Sequence, residues 1–200
     1  MERTNRIDYL TNEKQLEAAF IELLNEMPIE KISIQKLSQK SKLSRGTFYL
    51  HYENIYQLLE NYEDNLIAEL RLLNKDFYKF SITEFNFVEG GNPCFKETYE
   101  WILQNKLAIT VLLSHNGSPS FEKKWRKCIF DLFQTKINYD QIKLVDYDLF
   151  CVVISGTWIN IIKHWLSVRQ DVSSEALSQL ISRVTKNILI SFYQENWREI

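Results

Sequence analysis

Five cationic side chains, Lys31, Lys36, Lys40, Lys42 and Arg45, fall between positions 31 and 52 with no Asp or Glu among them. The 200-residue chain carries a formal net charge of −2, so these cations form a local patch on a slightly acidic protein. Such a patch attracts phosphate whatever the base sequence, and it confines any nucleic-acid contact to this stretch. Arg45 presents a fork of donors that suits a guanine edge. Thr47 offers a methyl and a hydroxyl for a thymine or a phosphate, and Gly46 lets the backbone come close to a groove. Lys36 and Lys42 are candidate phosphate partners. Charge alone describes the solvated face of two surface helices equally well, and the surrounding pattern decides between the two.

Other chemistries lack the spacing they need. His115, His164, Cys94, Cys128 and Cys151 share no C-x-x-C or H-x-x-x-H interval, so neither a metal site nor a cofactor is expected. The chain has no Gly-rich phosphate loop, no G-x-S-x-G and no H-E-x-x-H. Asp146, Tyr147 and Asp148 precede an apolar run and read as a helix cap rather than an acid/base pair. No enzyme is expected.

The elements that position the basic patch are well marked. Ser33 is an N-cap for a short helix over 33–41 with Leu37 on its inner side. Lys42, Leu43 and Ser44 read as a tight turn with Leu43 buried. Ser44 caps a second short helix over 45–51, which buries Phe48 and Tyr52 at an i, i+4 spacing. Two short helices joined this way form a helix-turn-helix, whose second helix enters the DNA major groove. Residues 1–10 read as a polar arm; Arg3 and Arg6 there either fray or touch DNA. Thr11 or Asn12 then caps a first helix with Leu16, Phe20, Leu23, Leu24 and Met27 at a 3.6-residue period, ending at Pro28.

The run ISIQKLSQKSKLSRGTFYLHYENIYQLLE resembles the N-terminal domain of the tetracycline-repressor (TetR/AcrR) family of transcriptional regulators. Its most characteristic piece is the small-residue-rich recognition helix ending in an aromatic pair, here residues 44–52, and the resemblance covers roughly residues 10–60. It implies that Tyr49 and His51 donate to phosphates. It also implies that Ser33 and Ser44 offer hydroxyls and helix N-termini to the same strands, and that the second domain encloses an effector pocket. Two positions depart from the pattern: the family often has Gly where Lys42 stands, and a phosphate-contacting Lys where Ile55 stands. A looser resemblance links FCVVISGTWINIIKHWLSVRQDVSSEALSQLI to the C-terminal domain of a TetR subgroup common in low-GC Gram-positive bacteria.

Composition frames the remainder. A hydrophobic share of 45% with 25% charged residues is that of an ordinary soluble domain, and five Gly with three Pro leave few turns, which favours long helices. Three widely spaced cysteines suit reduced thiols in a cytosol. The start, MERTNRIDYL, has no apolar stretch and reads as no signal peptide. A long amphipathic helix over 54–77 would span about 35 Å; in the resembling family it is the lever between two domains. Residues 81–93 form the longest loop. Helical pattern resumes through Phe95, Tyr99, Ile102 and Leu103 and again over 107–113, turns at 115–119, and returns over 120–137.

Residues 149–162 are apolar nearly all round, too short to cross a membrane, and read as a buried core helix that needs partners on every side. Gly156 suits close helix approach or simple packing. Ser173 caps a last helix, stapled by Val172 and Leu177, with Leu177, Leu180, Ile181, Val184, Ile188 and Phe192 along one stripe. Two such helices per chain can build a four-helix bundle across a two-fold axis. The candidate interface is Gly156, Trp158, Leu177, Ile181, Val184 and Ile188. Aromatic residues crowd the second half, as core or as a pocket, and Tyr99, Trp101, His115, Trp125, Phe150 and Asn160 are the candidate ligand set.

The expectation is an all-α, cytoplasmic homodimer with no membrane span. Residues 1–53 would form a three-helix DNA-binding head and residues 54–200 a helical effector-binding and dimerisation domain. Its partners would be near-palindromic double-stranded DNA and an unknown small-molecule effector or protein partner, with repression relieved by the effector. The alternative is a helical interaction module whose DNA binding is weak or dispensable.

Overall fold

The computed structural model describes residues 2–79, 93–114, 117–169 and 171–193, the side chains of 2–6, 93 and 94 excepted. Among the described residues every regular element is helical. In order they are α1 (Glu2–Glu26), α2 (Ile34–Ser41), α3 (Arg45–His51), α4 (Ile55–Leu73), α5 (Pro93–Gln104), α6 (Lys106–Leu112), α7 (Pro119–Asp140), α8 (Tyr147–Ser167) and α9 (Ser174–Phe192). Short 3-10 turns occupy Ile29–Lys31 and Phe77–Lys79.

The chain divides into two compact units, one of Met1–Leu66 with Leu107–Phe121, the other of Ile67–Lys106 with Glu122–Ile200. In the first, α1, α2 and α3 pack on one another around fully buried Leu16, Phe20, Leu37 and Phe48. α1 begins well before the expected cap. No Gly or Pro interrupts residues 2–10, and Thr11 sits inside the helix, donating its hydroxyl back to the Ile7 carbonyl at 2.8 Å instead of capping. The expected arm is therefore helical backbone; the side chains of Arg3 and Arg6 lie outside the described residues.

α4 starts where expected, with Asn54 Oδ1 accepting from Gln57 N at 3.0 Å, but it stops at Leu73. Nineteen residues give about 28 Å rather than about 35 Å. The cause is Asn74. Its backbone N–H and its Nδ2 both donate to the Leu70 carbonyl, at 3.2 and 3.0 Å. Lys75 N then bonds Leu72 O at 3.3 Å, the shorter 3-10 connection. The division between the units falls within α4, between Leu66 and Ile67.

The second unit is built on aromatic contacts. Phe77 stacks on Phe95, and both ring systems meet Phe133 or Trp158 edge-on at 5.0–5.5 Å between centroids. Phe150 continues the cluster against Phe133 and Phe192. α8 is longer than the apolar run suggested, because Asp146 caps it by accepting from Leu149 N at 2.9 Å and it continues to Ser167. By length and composition α8 is the one described helix that could cross a membrane, yet half of that window is buried within the protein.

α9 packs against α5 and α8 and is capped by Ser173, which accepts from Ala176 N at 3.2 Å. Its buried face is Leu177, Ser178, Ile181, Ser182, Thr185 and Leu189. Ser178 and Ser182 are fully buried, and their small size lets the neighbouring helices approach. The expected stripe is therefore rotated: Leu180 is exposed, and Val184 and Ile188 are only half buried. Trp158 of α8 donates its Nε1 to Thr185 Oγ1 of α9 at 3.0 Å, a buried bond that sets the register of the pair.

Candidate nucleic-acid interface

The two short helices are held by their caps. Ser33 Oγ accepts from Lys36 N at 3.2 Å and opens α2. Ser44 Oγ accepts from Thr47 N at 2.9 Å and opens α3. Between them Lys42 makes the turn in the left-handed region, φ 58° and ψ 22°, the conformation glycine adopts without cost. Leu43 is half buried, and the fully packed plugs are Leu37 and Phe48, with Ser41 nearly buried beside them.

This scaffold turns one face of α3 outward. Arg45, Gly46, Tyr49 and Leu50 are exposed, as are Lys42, Ser33, Lys36 and Ser44 on its flanks. Tyr49 and Leu50 are 60% and 74% exposed, large values for side chains of this kind, with the Tyr49 ring meeting Phe48 edge-on at 5.5 Å between centroids. A Cβ on Gly46 would meet only Ser44 Oγ, at 3.5 Å. The fold therefore tolerates a side chain there.

The cations are not equivalent. Lys40 is paired with Glu22 and Glu26 of α1 at 3.0 and 3.1 Å, and those two partners hold its ammonium above the ordinary lysine value. Lys36 is drawn back onto the Lys31 carbonyl at 3.0 Å rather than onto a carboxylate. Lys31, Lys42 and Arg45 have no ion pair among the described residues. The accessible positive charge thus concentrates at the turn and the start of α3.

Two members of the patch are already engaged. The Thr47 hydroxyl is 2.9 Å from Ser44 Oγ. His51 packs against Tyr9 of α1, ring centroids 3.9 Å apart. Burial depresses the imidazole's affinity for a proton, Glu13 opposing it, so His51 is neutral near pH 7. Tyr9 was missed by the sequence reading, since it falls in the segment read as an arm. Ile55, where the resembling family often has lysine, is 7% exposed and part of the core.

The candidate ligand residues are dispersed. Tyr99 and Trp125 line a small cavity of about 30 Å³ in the second unit, with Phe95, Trp158, Ile162 and Asn74 among its other walls. Trp101 is buried and donates its Nε1 to Glu69 at 2.6 Å, Phe150 belongs to the aromatic core, and Asn160 is exposed. His115 lies outside the described residues. An open groove of about 160 Å³ adjoins this cavity through Asn74, Cys128 and Leu132, with Arg71, Lys75, Tyr78, Asp131 and Thr135 completing its lining. Of this lining the sequence points to Cys128, as a free thiol, but to none of Arg71, Lys75, Tyr78, Asp131 or Thr135 as ligand-binding. Asn74, a polar residue four positions past Leu70 on the apolar stripe of α4, was the available signal.

Among the described residues no three His, Cys, Asp or Glu side chains gather as a metal site. Of the interface candidates, Trp158, Leu177 and Ile181 are buried within the chain, while Gly156, Val184 and Ile188 are partly exposed.

Residues 92–187 match a family profile described as a transcriptional regulator C-terminal region. An HTH-type transcriptional regulator of Bacillus subtilis, YxbF, is 22% identical over 173 residues, covering 84% of this chain but 43% of its own length, so the chain spans less than half of that relative. An HTH-type transcriptional regulator of Haemophilus influenzae is 22% identical over 175 residues, 85% of this chain and 91% of its own. Among solved structures, a TetR transcriptional regulator from Streptococcus agalactiae superposes with a TM-score of 0.64 at 23% identity, over 92% of this chain and 99% of that one.

Proposed function

We propose that this chain, which belongs to the TetR family of transcriptional regulators, is a homodimeric, sequence-specific DNA-binding repressor released by a small-molecule effector. The observation that carries the reading is the exposed face of α3. Arg45, Gly46 and Tyr49 point away from a helix fixed from behind by Phe48, and the free cations cluster beside them. In this reading residues 1–53 form the DNA-binding head and residues 54–200 the effector-binding and dimerisation part. Arg45 reads a guanine edge and Thr47 a neighbouring base or phosphate. Lys36, Lys42, Tyr49, His51 and the N-termini of α2 and α3 at Ser33 and Ser44 hold the phosphates. Neutral His51 then serves as a hydrogen-bond donor rather than as a charge.

Dimerisation is assigned to the outer faces of α8 and α9. Leu149, Val152, Leu180 and Ile190 are 42–66% exposed there, alongside half-buried Val184 and Ile188. An apolar face of this kind is closed by its own two-fold copy. Two α3 helices about 34–36 Å apart would then enter successive major grooves of a near-palindrome. The effector acts through α4, whose residues belong in part to each compact unit. It shifts the equilibrium only by its differential affinity for the two states. The protein acts in the cytoplasm, where its thiols stay reduced.

A rival reading, an interaction module working through a protein partner, drew on the absence of lysine at position 55. Because Ile55 is a core residue, its identity removes one phosphate contact per head and leaves the α3 face unaltered. Footprinting on DNA upstream of the protein's own gene tests the proposal. Two protected half-sites about one helical turn apart are expected, and unprotected DNA at concentrations where the protein is dimeric would refute it.

A further inference from the structure

The groove beside Asn74 has a chemistry that the effector role leaves unspecified. Three elements build it: the end of α4 at Arg71 with the turn after it at Asn74 and Lys75, the 3-10 turn at Tyr78, and α7 with Cys128, Asp131, Leu132 and Thr135. Its floor is fixed. Fully buried Lys136 donates to the Tyr78 carbonyl at 2.9 Å and to Asp140 at 2.6 Å, and Tyr139 meets the Tyr78 ring edge-on.

The charges around it do not balance. Among the described residues Asp131 is the one carboxylate in the lining, and both its oxygens are taken, one by Lys127 at 2.9 Å and one by Arg71 at 3.2 Å. Arg71 uses a single Nη in that pair and turns a further part of its five-donor fork toward the Cys128 sulfur. Lys75 is exposed and has no ion pair among the described residues. Asp76, next in sequence, is paired with Lys79. Among the described residues the rim therefore carries more cations than carboxylates, with Lys75 feeling Asp76 only at a distance.

The interior is of different character. Leu132, the Tyr78 ring and the Cys128 thiol form its walls, and burial, against the pull of Arg71, keeps that thiol protonated. Asn74 has both amide hydrogens engaged, by Leu70 O and Thr98 Oγ1, so toward the groove it can only accept. At about 160 Å³ the space is close to the ~150 Å³ that holds one benzene molecule in an engineered apolar cavity. It lies below the range usual for sites that enclose larger ligands.

We infer that this groove binds a small organic acid: a carboxylate seated on Arg71 and Lys75, with an apolar body about the size of one benzene ring between Tyr78, Cys128 and Leu132. The inference rests on the effector-bearing role given above to the C-terminal part of the chain and names the ligand class. Arg71 lies on the last turns of α4, so the carboxylate would load the helix that the proposed release mechanism uses.

The test titrates the full chain with benzoate, neutral benzamide and cationic benzylamine, followed by tryptophan fluorescence and by calorimetry. Saturable benzoate binding roughly tenfold tighter than benzamide is expected, with none for benzylamine. Arg71→Gln and Lys75→Gln should each bring benzoate down toward benzamide and leave benzamide unchanged. Lys75→Gln touches no ion pair, so its folding is not at stake. Leu132→Trp, which fills the groove, should remove binding of both. Equal affinity for benzoate and benzamide, no saturable benzoate binding, or full benzoate affinity in Lys75→Gln would each overturn the inference. DNA affinity of the same samples without probe is recorded separately. Its loss would condemn the regulator reading while the groove result stands on its own.

Discussion

Replacing Lys42 by glycine should move stability and DNA affinity in opposite directions. Lys42 holds φ at 58° to join α2 to α3, and a residue with a Cβ in that region costs about 1–2 kcal/mol. Glycine removes that cost but gives back about 0.5–1 kcal/mol in chain entropy. The net gain is about 0.5–1 kcal/mol, or roughly 2 °C in melting midpoint. The Lys42 side chain is exposed, so no packing is lost. Its ammonium, by contrast, sits among the few unpaired cations beside α3, and removing one phosphate contact should flatten the salt dependence of DNA binding by about 0.9 per head. Lys42→Ala separates the effects: it loses the charge and keeps the Cβ, so it should bind DNA like Lys42→Gly without the thermal gain. Differential scanning calorimetry and anisotropy over a salt series read both quantities. Equal midpoints for the Gly and Ala variants would refute the strain argument, and an unchanged salt slope would refute the phosphate contact.

Further outcomes follow from the same geometry. Tyr49→Ala should weaken binding to all duplexes by a similar factor, whereas Arg45→Ala should relax choice at one base position; uniform loss for Arg45→Ala would contradict its base-reading role. Trp158→Phe leaves the buried Thr185 hydroxyl without its donor and should cost about 1–2 kcal/mol in urea unfolding, with Thr185→Val in the same background adding little. Glu122 accepts from Lys163 and from two nitrogens of Arg126, and these cations, Lys163 foremost, hold its carboxyl below the ordinary range. A carboxyl held low stabilises the fold fully above its unfolded value and ceases to as pH falls through its folded one. Glu122→Gln should therefore cost about 1 kcal/mol near pH 7, and urea titrations of the variant and wild type should converge as the pH falls below the ordinary carboxylate range and through the lowered folded value.

The recognition helix was legible because its logic is local. Ser33, Ser44, Asp146 and Ser173 each cap a helix through a hydroxyl or carboxylate that accepts from a backbone N–H three residues on, and such bonds depend on little beyond their own segment. What escaped depended on side chains read by type rather than by partner. Thr11 looked like a cap and bonds backward inside α1. Asn74 looked like one more residue of α4 and ends it. Along α9, scoring only hydrophobic residues hid the buried face of Ser178, Ser182 and Thr185, whose small size admits neighbours, and so misplaced the outward stripe. The groove was out of reach for another reason. Arg71 and Asp131 stand sixty positions apart, and nothing along the chain announces that pairing.

DNA reading is assigned to α3. The most direct test is fluorescence anisotropy of the purified protein on DNA from upstream of its own gene, at several salt concentrations, against a scrambled duplex. Tight binding to the native duplex alone, falling steeply as salt rises and lost in Tyr49→Ala, is the predicted result. Weak and equal binding to both duplexes, unaffected by Tyr49→Ala, would contradict it.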